Sequence, residues 1–594
     1  ITGTSTARVM KQQTRRLKRA GQYLKETLEG IVTRFLYYSN ATVNSSFSTP
    51  RPTRADRNKQ DSGKFAKIVI YNPIELARND LLAIITAPNI GRVKISENGE
   101  TLQHQIVEKG HDSLIYFRTK VPRLSLKILQ LVEYEGESKN SIRNQRPDSD
   151  GYFTLSNKVV SLYFDQGILA AIKSQDYGSD INVKIGTYDT SPGYSGAYLF
   201  KPCPKIEYFT PSKDPEAKKG PVFGEMRTSF DCCTLTIRLV NEDDNPVIHV
   251  SVEYLLQMDD KELFLEISTG VNSSKWITDM NDFELRERIQ VEKEGLEANI
   301  YPMTSITYLE SDDERLVVIS DHSHGVANPR QGVLQVMLDR RTTVDDGKGI
   351  GEPLRDNTKT VSKFWVVLYK LSNRTLDILG LSRRLSNPPL ALTVRTEDSC
   401  DEKRETTPKS PPKDQCFPRE CIFPGDWDLP NSFSGEWFRN RDRSYDVSRA
   451  FKMDLLRNSG GKSDSGNGPE ESRKPSTETP ENNGLRLSDQ TFLLLQGNIS
   501  DGIRILTLRT RQLSGEAPGW ALLVLHNTSN ATINPFPNET SFNHLQLKSI
   551  IETTLTGIQE IEQYAVLSDI IMKPHTLKTV KLHFKTIGQS SRRL

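Results

Sequence analysis

From Phe65 onward the apolar residues come in short runs broken by turn formers, and this punctuation limits what the chain can fold into. Ile68-Val69-Ile70-Tyr71 ends at Asn72-Pro73. Leu82-Ala83-Ile84-Ile85, Leu114-Ile115-Tyr116-Phe117 and Leu124-Ser125-Leu126-Lys127-Ile128 follow at short intervals. Runs of this length, rich in β-branched and aromatic residues, read as strands. Val159-Val160-Ser161-Leu162-Tyr163-Phe164 meets Ile168-Leu169-Ala170-Ala171-Ile172 across Asp165-Gln166-Gly167, which reads as a hairpin. Further strands are expected near 230–240, 247–256, 262–270, 303–308, 315–320, 333–339 and 362–371. Many short strands with turns between them point to β-sandwiches.

The N-terminal segment has a different period. Val9, Leu17, Leu24, Leu28, Ile31, Val32 and Phe35 recur close to helical spacing, so 5–38 reads as one long helix, with Thr4 or Ser5 able to cap it. Such a stripe must pack on something. The fold class expected is therefore mainly β with an N-terminal helix: a helical-bundle segment followed by β-sandwich domains. The expected divisions are 1–64 (helical segment and linker), 65–135 (a small immunoglobulin-like β domain), 136–397 (a large β-sandwich), 398–484 (variable loops) and 485–594 (a C-terminal β-sandwich). Residues 398–415 are charged and Pro-rich, and 457–484 contain no Val, Ile, Leu, Met, Phe, Trp, Tyr or Cys. With nothing apolar to bury, 457–484 reads as disordered.

A chain of 594 residues exceeds the size of one core, and its net charge of +2 argues for neither nucleic acid nor a membrane. Residues 1–67 do carry fourteen Lys/Arg against four Asp/Glu, an excess of 14 − 4 = +10. A solvated helix face with a basic loop explains that excess better than nucleic-acid binding does. No apolar run approaches the roughly 18 residues of a bilayer span. The six cysteines fit no zinc spacing. Cys400, Cys416 and Cys421 sit in one polar region, either as a loop disulfide with a spare or as free thiols. Asn-x-Ser/Thr sequons occur at Asn40, Asn44, Asn272, Asn373, Asn498, Asn527, Asn530 and Asn538, consistent with a lumenal or secreted protein.

Three local patterns stand out. Leu338-Asp339-Arg340-Arg341 is followed by Asp345-Asp346-Gly347-Lys348-Gly349-Ile350-Gly351-Glu352-Pro353: paired arginines after a strand, then two carboxylates, then three glycines. Upstream lie Ser195-Gly196-Ala197-Tyr198-Leu199-Phe200-Lys201-Pro202 and Thr278-Asp279-Met280-Asn281, the last with Ala298-Asn299-Ile300-Tyr301-Pro302-Met303 after it. In order and spacing these resemble the C-terminal half of the glycoside hydrolase family 38 α-mannosidases. The opening Ile1-Thr2-Gly3-Thr4 resembles a segment that follows a zinc-binding His-His-Asp stretch in that family. The resemblance therefore implies that the chain starts downstream of the catalytic α/β domain, with nucleophile and metal ligands outside it.

The residues can be weighed on their own chemistry as well. Glycoside hydrolysis needs two carboxyl groups flanking one bond, but adjacent side chains such as Asp345 and Asp346 point to opposite sides of an extended chain. Hydrogen bonds that shape the loop are the job expected of them. His322 and His324 flank Ser323 without a third ligand at suitable spacing, which reads as a surface loop rather than a zinc site. The expectation is no catalytic residue and no metal ligand in this chain. By resemblance, Tyr198 projects into the active site and hydrogen-bonds a sugar hydroxyl. Lys348 stands at its edge where Golgi-type members usually have Arg, a change that matters for a bidentate contact. The implied whole is a zinc-dependent, retaining enzyme that removes α-1,3- and α-1,6-linked mannose from N-glycans in the Golgi lumen. Its zinc and catalytic domain would lie in another part of the same protein, as would any membrane anchor. Gly351-Glu352-Pro353 looks more like lysosomal members, which would degrade high-mannose chains in the lysosome. A non-catalytic carbohydrate-binding or interaction module is the reading from a different class. Deleting 457–484 should leave the melting temperature almost unchanged, because no burial there offsets an ordering entropy of roughly 1–2 kcal/mol per residue; a scan of the deletion variant checks this.

Overall fold

The computed structural model describes residues 6–24, 65–86, 93–109, 112–133, 143–147, 152–174, 178–190, 194–243, 245–273, 275–291, 294–355, 358–372, 376–395, 491–493, 499–511, 519–537 and 545–586. The expectations for 398–415 and 457–484 lie outside these residues. The chain divides into two compact units, Ile1–Asp426 and Trp427–Leu594.

Strands and antiparallel sheets dominate both units. In the first unit a large sandwich is built from a nine-stranded and a ten-stranded sheet. Ile248–Tyr254 turns every second residue inward, and Ile248, Val250, Val252 and Tyr254 are all buried. They meet Ile181, Val183 and Ile185 of Gly178–Thr190 and Leu263, Leu265 and Ile267 of Lys261–Thr269 in one apolar core. Period-two patterning places these residues on one face because successive side chains alternate across a strand. The hairpin read at 165–167 is present, with Gln166 and Gly167 at φ of 46° and 82° as a two-residue primed turn requires.

A smaller β region precedes the sandwich. Phe65–Asn72 pairs with Ser125–Glu133 on one side and with Leu390–Arg395 on the other. Leu81–Thr86, Asp112–Arg118 and His104–Lys109 form a second sheet over it. Ile68, Ile84, Ile115, Phe117 and Leu129 fill the space between, each with no solvent exposure. Leu390–Arg395, near the end of the 136–397 span, pairs with Phe65–Asn72 of the smaller region and not with the sandwich sheets. Sequential reading misses this because register across 320 residues leaves no local mark.

Asp377 caps the nine-residue helix Ile378–Ser386 by accepting from Gly380 N at 2.8 Å. Ile378 and Leu381 pack on Val317, Ile319 and Val367. The N-terminal helix is present over 7–24, and Thr6 starts it in place of Thr4 or Ser5. Within these residues the stripe is exposed at Leu17 and Leu24, by 68% and 60%. Residues 25–38 lie outside the description. In the second unit Ile503–Arg511, Gly519–Asn527, Leu577–Thr586, Leu545–Thr553 and Glu560–Tyr564 form one antiparallel five-stranded sheet, in that order. No helix among the described residues is long and apolar enough to cross a membrane.

The Thr278-Asp279-Met280-Asn281 pattern is a buried turn lock. Asp279, 1% exposed, accepts from Ser305 N and Ile306 N at 2.9 and 2.8 Å and from Asp282 N at 2.8 Å. The turn needs it because Asn281 and Asp282 both hold φ of 55°. Asp279→Ala strands two buried amide donors and should cost about 3 kcal/mol, measured as a lowered urea midpoint with an unchanged slope.

Candidate functional site

The site begins where the nine-stranded sheet ends. Gly178–Thr190, Lys261–Thr269 and Val333–Arg341 run side by side with their inner faces in the core. Their outer faces carry Tyr188, Glu262, Phe264, Glu266 and Gln335, all buried. There Tyr188 Oη donates to Gln335 Oε1 at 2.5 Å, Gln335 Nε2 donates to Glu266 Oε2 at 2.8 Å, and Tyr208 Oη donates to the same oxygen at 2.8 Å. Burial pushes the Tyr188 phenol up to about 12, so it remains a donor.

Beyond this network the chain leaves the sheet in two loops, 194–201 and 342–353, which hold each other. Asp346 Oδ2 accepts from Tyr198 N at 2.7 Å and Leu199 N at 2.9 Å, while Oδ1 accepts from Lys348 N at 3.2 Å. In return Arg340 Nη1 donates to Gly196 O at 2.6 Å and Leu199 O at 3.1 Å, and its guanidinium lies 5.0 Å over the Phe200 ring. The first loop is thus gripped through its amides by a carboxylate and through its carbonyls by a guanidinium. Gly196 makes the approach possible, because a Cβ there would stand 2.7 Å from the Asp346 side chain. The second loop turns through Gly347, Gly349 and Gly351, at φ of 69°, 116° and 75°, values that L side chains rarely adopt.

Charge supports the same geometry. Burial would raise the Asp346 pKa, but the amides of Leu199, Tyr198 and Lys348 outweigh it and hold the carboxyl below its usual range. Behind the clamp, Arg340 forms an ion pair with Glu262, which is 3% exposed. Burial wins at Glu262: it pushes the carboxyl up to about 7 against the pull of Arg340. Arg341 reaches Asp259 at 2.6 Å, and Thr343 N and Oγ1 both donate to Asp260 Oδ1, so the whole Asp-Arg-Arg segment is anchored.

Asp346 therefore shapes the loop, as expected from its residue type, and Asp345 does a smaller version of the same work by accepting from Gly347 N at 2.9 Å. Tyr198 and Lys348 come from the two clamped loops. The Tyr198 side chain is 53% exposed, and Lys348 is exposed as well. The role of Glu262 was not read from the sequence. A signal existed for it: Glu262 and Glu266 alternate with apolar residues on a strand whose other face is core.

His322 and His324 sit with ring centroids 4.3 Å apart. His322 Nδ1 contacts Asp321 Oδ1 at 2.7 Å and His324 Nδ1 contacts Met337 O at 2.9 Å; burial, then His322, pushes His324 down to about 4. No group of three or more His, Cys, Asp or Glu residues among those described is placed to hold a metal ion. Among the sequons, Asn272 and Asn530 are exposed. Asn527 has no exposure, and its Nδ2 donates to Ala531 O, Met572 O and Lys573 O. Asn40, Asn44, Asn373, Asn498 and Asn538 lie outside the described residues.

Residues 155–348 match the family described as glycosyl hydrolases family 38 C-terminal domain, a span that takes in both clamped loops up to Lys348. This stretch of the chain is therefore similar to the C-terminal domain of the glycosyl hydrolases of family 38. The chain is 28% identical to alpha-mannosidase 2 of Homo sapiens over 343 residues, covering 51% of this chain and 30% of that protein. It is 24% identical to alpha-mannosidase 2 of Spodoptera frugiperda over 592 residues, 87% of this chain and 47% of that one. A lysosomal alpha-mannosidase of Dictyostelium discoideum is 23% identical over 68% of this chain and 45% of its own. An alpha-mannosidase from Enterococcus faecalis V583 shares the fold, with a TM-score of 0.54 at 10% identity over 87% of this chain and 56% of its own. The chain thus spans less than half the length of these curated relatives.

Asp346→Ala should leave the sandwich folded but release the 194–201 loop. Amide exchange at Tyr198 and Leu199 is expected to accelerate about tenfold or more, since each loses a charge-assisted bond worth roughly 1.5–3 kcal/mol. Exchange mass spectrometry of the two loops measures it.

Proposed function

We propose that this chain is the C-terminal part of a zinc-dependent, retaining α-mannosidase and that its two clamped loops complete the active site. The observation that carries the reading is the reciprocal grip on 196–199. It fixes a backbone segment from two sides while leaving the Tyr198 side chain in solvent. A tyrosine whose backbone is immobile and whose hydroxyl is free is suited to meet a sugar hydroxyl without losing much entropy on binding. Lys348, from the opposing loop, would add one point charge at the rim. In this reading the attacking carboxylate and the metal belong to the catalytic domain of the same protein. The described residues offer zinc no fitting ligand set, so no step is assigned to it here. The substrate class proposed is α-1,3- and α-1,6-linked mannose of N-glycans, and the compartment the Golgi lumen. The 28% identity to alpha-mannosidase 2 of Homo sapiens, against 23% and 24% to two lysosomal alpha-mannosidases, supports that choice.

Tyr198→Phe keeps the ring and removes one hydroxyl. In the full-length enzyme it should lower kcat/KM on an aryl mannoside several-fold or more, since a lost hydrogen bond is worth about 0.5–1.5 kcal/mol and more if its partner stays buried. Unchanged kinetics would return Tyr198 to a surface role and leave the non-catalytic module as the better reading.

A further inference from the structure

A cleft of about 120 Å³ lies in the first unit between the smaller β region and the large sandwich, away from the clamped loops. Arg118 enters it from the end of Asp112–Arg118 and Arg384 from the last turn of Ile378–Ser386. His249 and Trp365, neighbours on adjacent strands, line it with rings stacked at 5.2 Å and 23°.

The electrostatics of this cleft are unbalanced. Arg118 Nη1 and Arg384 Nε are both buried without a hydrogen-bond partner. Neither arginine has an ion-pair partner among the described residues. Each is nevertheless tethered: Arg118 Nε donates to Asn79 O at 2.9 Å and Arg384 Nη2 to Ala77 O at 3.4 Å. Two carboxylates, Asp80 and Asp243, also line the cleft, and neither is ion-paired to Arg118 or Arg384 among the described residues. Asp80 is ion-paired to Arg78, Asp243 accepts from Asn245 N at 3.1 Å, and Arg238 is held by Glu225 at 2.8 Å. Burial, then the charges of Arg238 and Arg118, pushes His249 down to about 3, so the imidazole is neutral and brings no further charge. A buried cationic donor left without an acceptor is costly, and native structures pair such groups. An anion is the acceptor that would satisfy both the charge and the geometry. Guanidinium forks suit tetrahedral oxyanions in particular.

We propose that this cleft is a binding site for a small tetrahedral oxyanion of the phosphate or sulfate class, held between Arg118 and Arg384. Bound there, the anion bridges the strand Asp112–Arg118 of the smaller region to the helix that packs on the sandwich, and so pins one to the other. The assignment is independent of the glycosidase reading, since it shares no residue with the clamped loops.

The test titrates inorganic phosphate, and in a second arm sulfate, into the full 594-residue chain at fixed ionic strength made up with chloride. Calorimetry should give a saturable heat, and the melting temperature should rise with phosphate and not with chloride, as expected for a ligand that binds only the folded state. Arg118→Gln and Arg384→Gln should each weaken binding by at least about tenfold, the loss expected for one charge-assisted bond. Lys158→Gln, on an exposed ion pair of the sandwich, should leave binding unchanged. Should the arginine variants fail to fold, shifts of the His249 and Trp365 side-chain signals on phosphate titration of the unsubstituted chain decide the question. Saturable shifts at those residues support the site. Equal stabilisation by chloride, or no saturable heat and no shift, overturns it.

Discussion

The large sandwich of the first unit hangs on two antiparallel sheets burying one face each against the other. That contact is apolar along its whole width, from Leu155 and Leu162 through Ile185 and Leu265 to Val336 and Phe364. Apolar burial is non-directional, so it fixes that the sheets meet and says little about their edges. What it does provide is a rigid platform. Strands buried on the inner face cannot slip by one residue without turning that whole set outward. The outer face of the same strands is then free to carry polar residues at fixed spacing, and Glu262, Glu266, Gln335 and Tyr188 occupy it.

The clamped loops are a consequence of that platform. Arg340 leaves the last inward-packed part of its strand, and Glu262 lies directly across from it in register. The guanidinium is thereby aimed before it meets the 194–201 loop, and the loop is held by groups whose own positions are set by the sheet. This is the order of support that a binding site needs: rigid elements first, then the charged side chains, then the loop. The carboxylate of Asp346 completes it from the other side by satisfying amides that would otherwise face each other unpaired.

Much of this was legible from the chain alone, and for physical reasons. Strand placement followed from short apolar runs, rich in β-branched and aromatic residues, that turn formers interrupt. The 165–167 hairpin followed from a turn that only a few residue types can adopt. The loop-shaping role of Asp346 was expected from its type. The partners were not legible. Asp346 and Tyr198 are 148 residues apart, and nothing local distinguishes a carboxylate that caps a distant loop from one in solvent. The return of Leu390–Arg395 to Phe65–Asn72 was hidden for the same reason. The N-terminal helix shows the opposite failure: a good helical period over 7–24 coexists with an exposed stripe, because periodicity reports what a helix can bury and not whether it does.

Asn527 carries a consequence of a different kind. As Asn527-Thr528-Ser529 it spells an acceptor for an N-linked glycan, yet in the folded second unit its amide nitrogen ties the turn at Ala531 to Met572 and Lys573. A glycosylated nitrogen keeps one hydrogen and cannot serve three carbonyls, so modification and folding exclude each other at this residue. Whichever comes first during synthesis decides the outcome. Fast closure of this turn protects the residue, and slow closure would leave a modified chain unable to form it. The neighbouring Asn530, exposed three residues on, carries no such conflict and can be modified before or after the unit has closed.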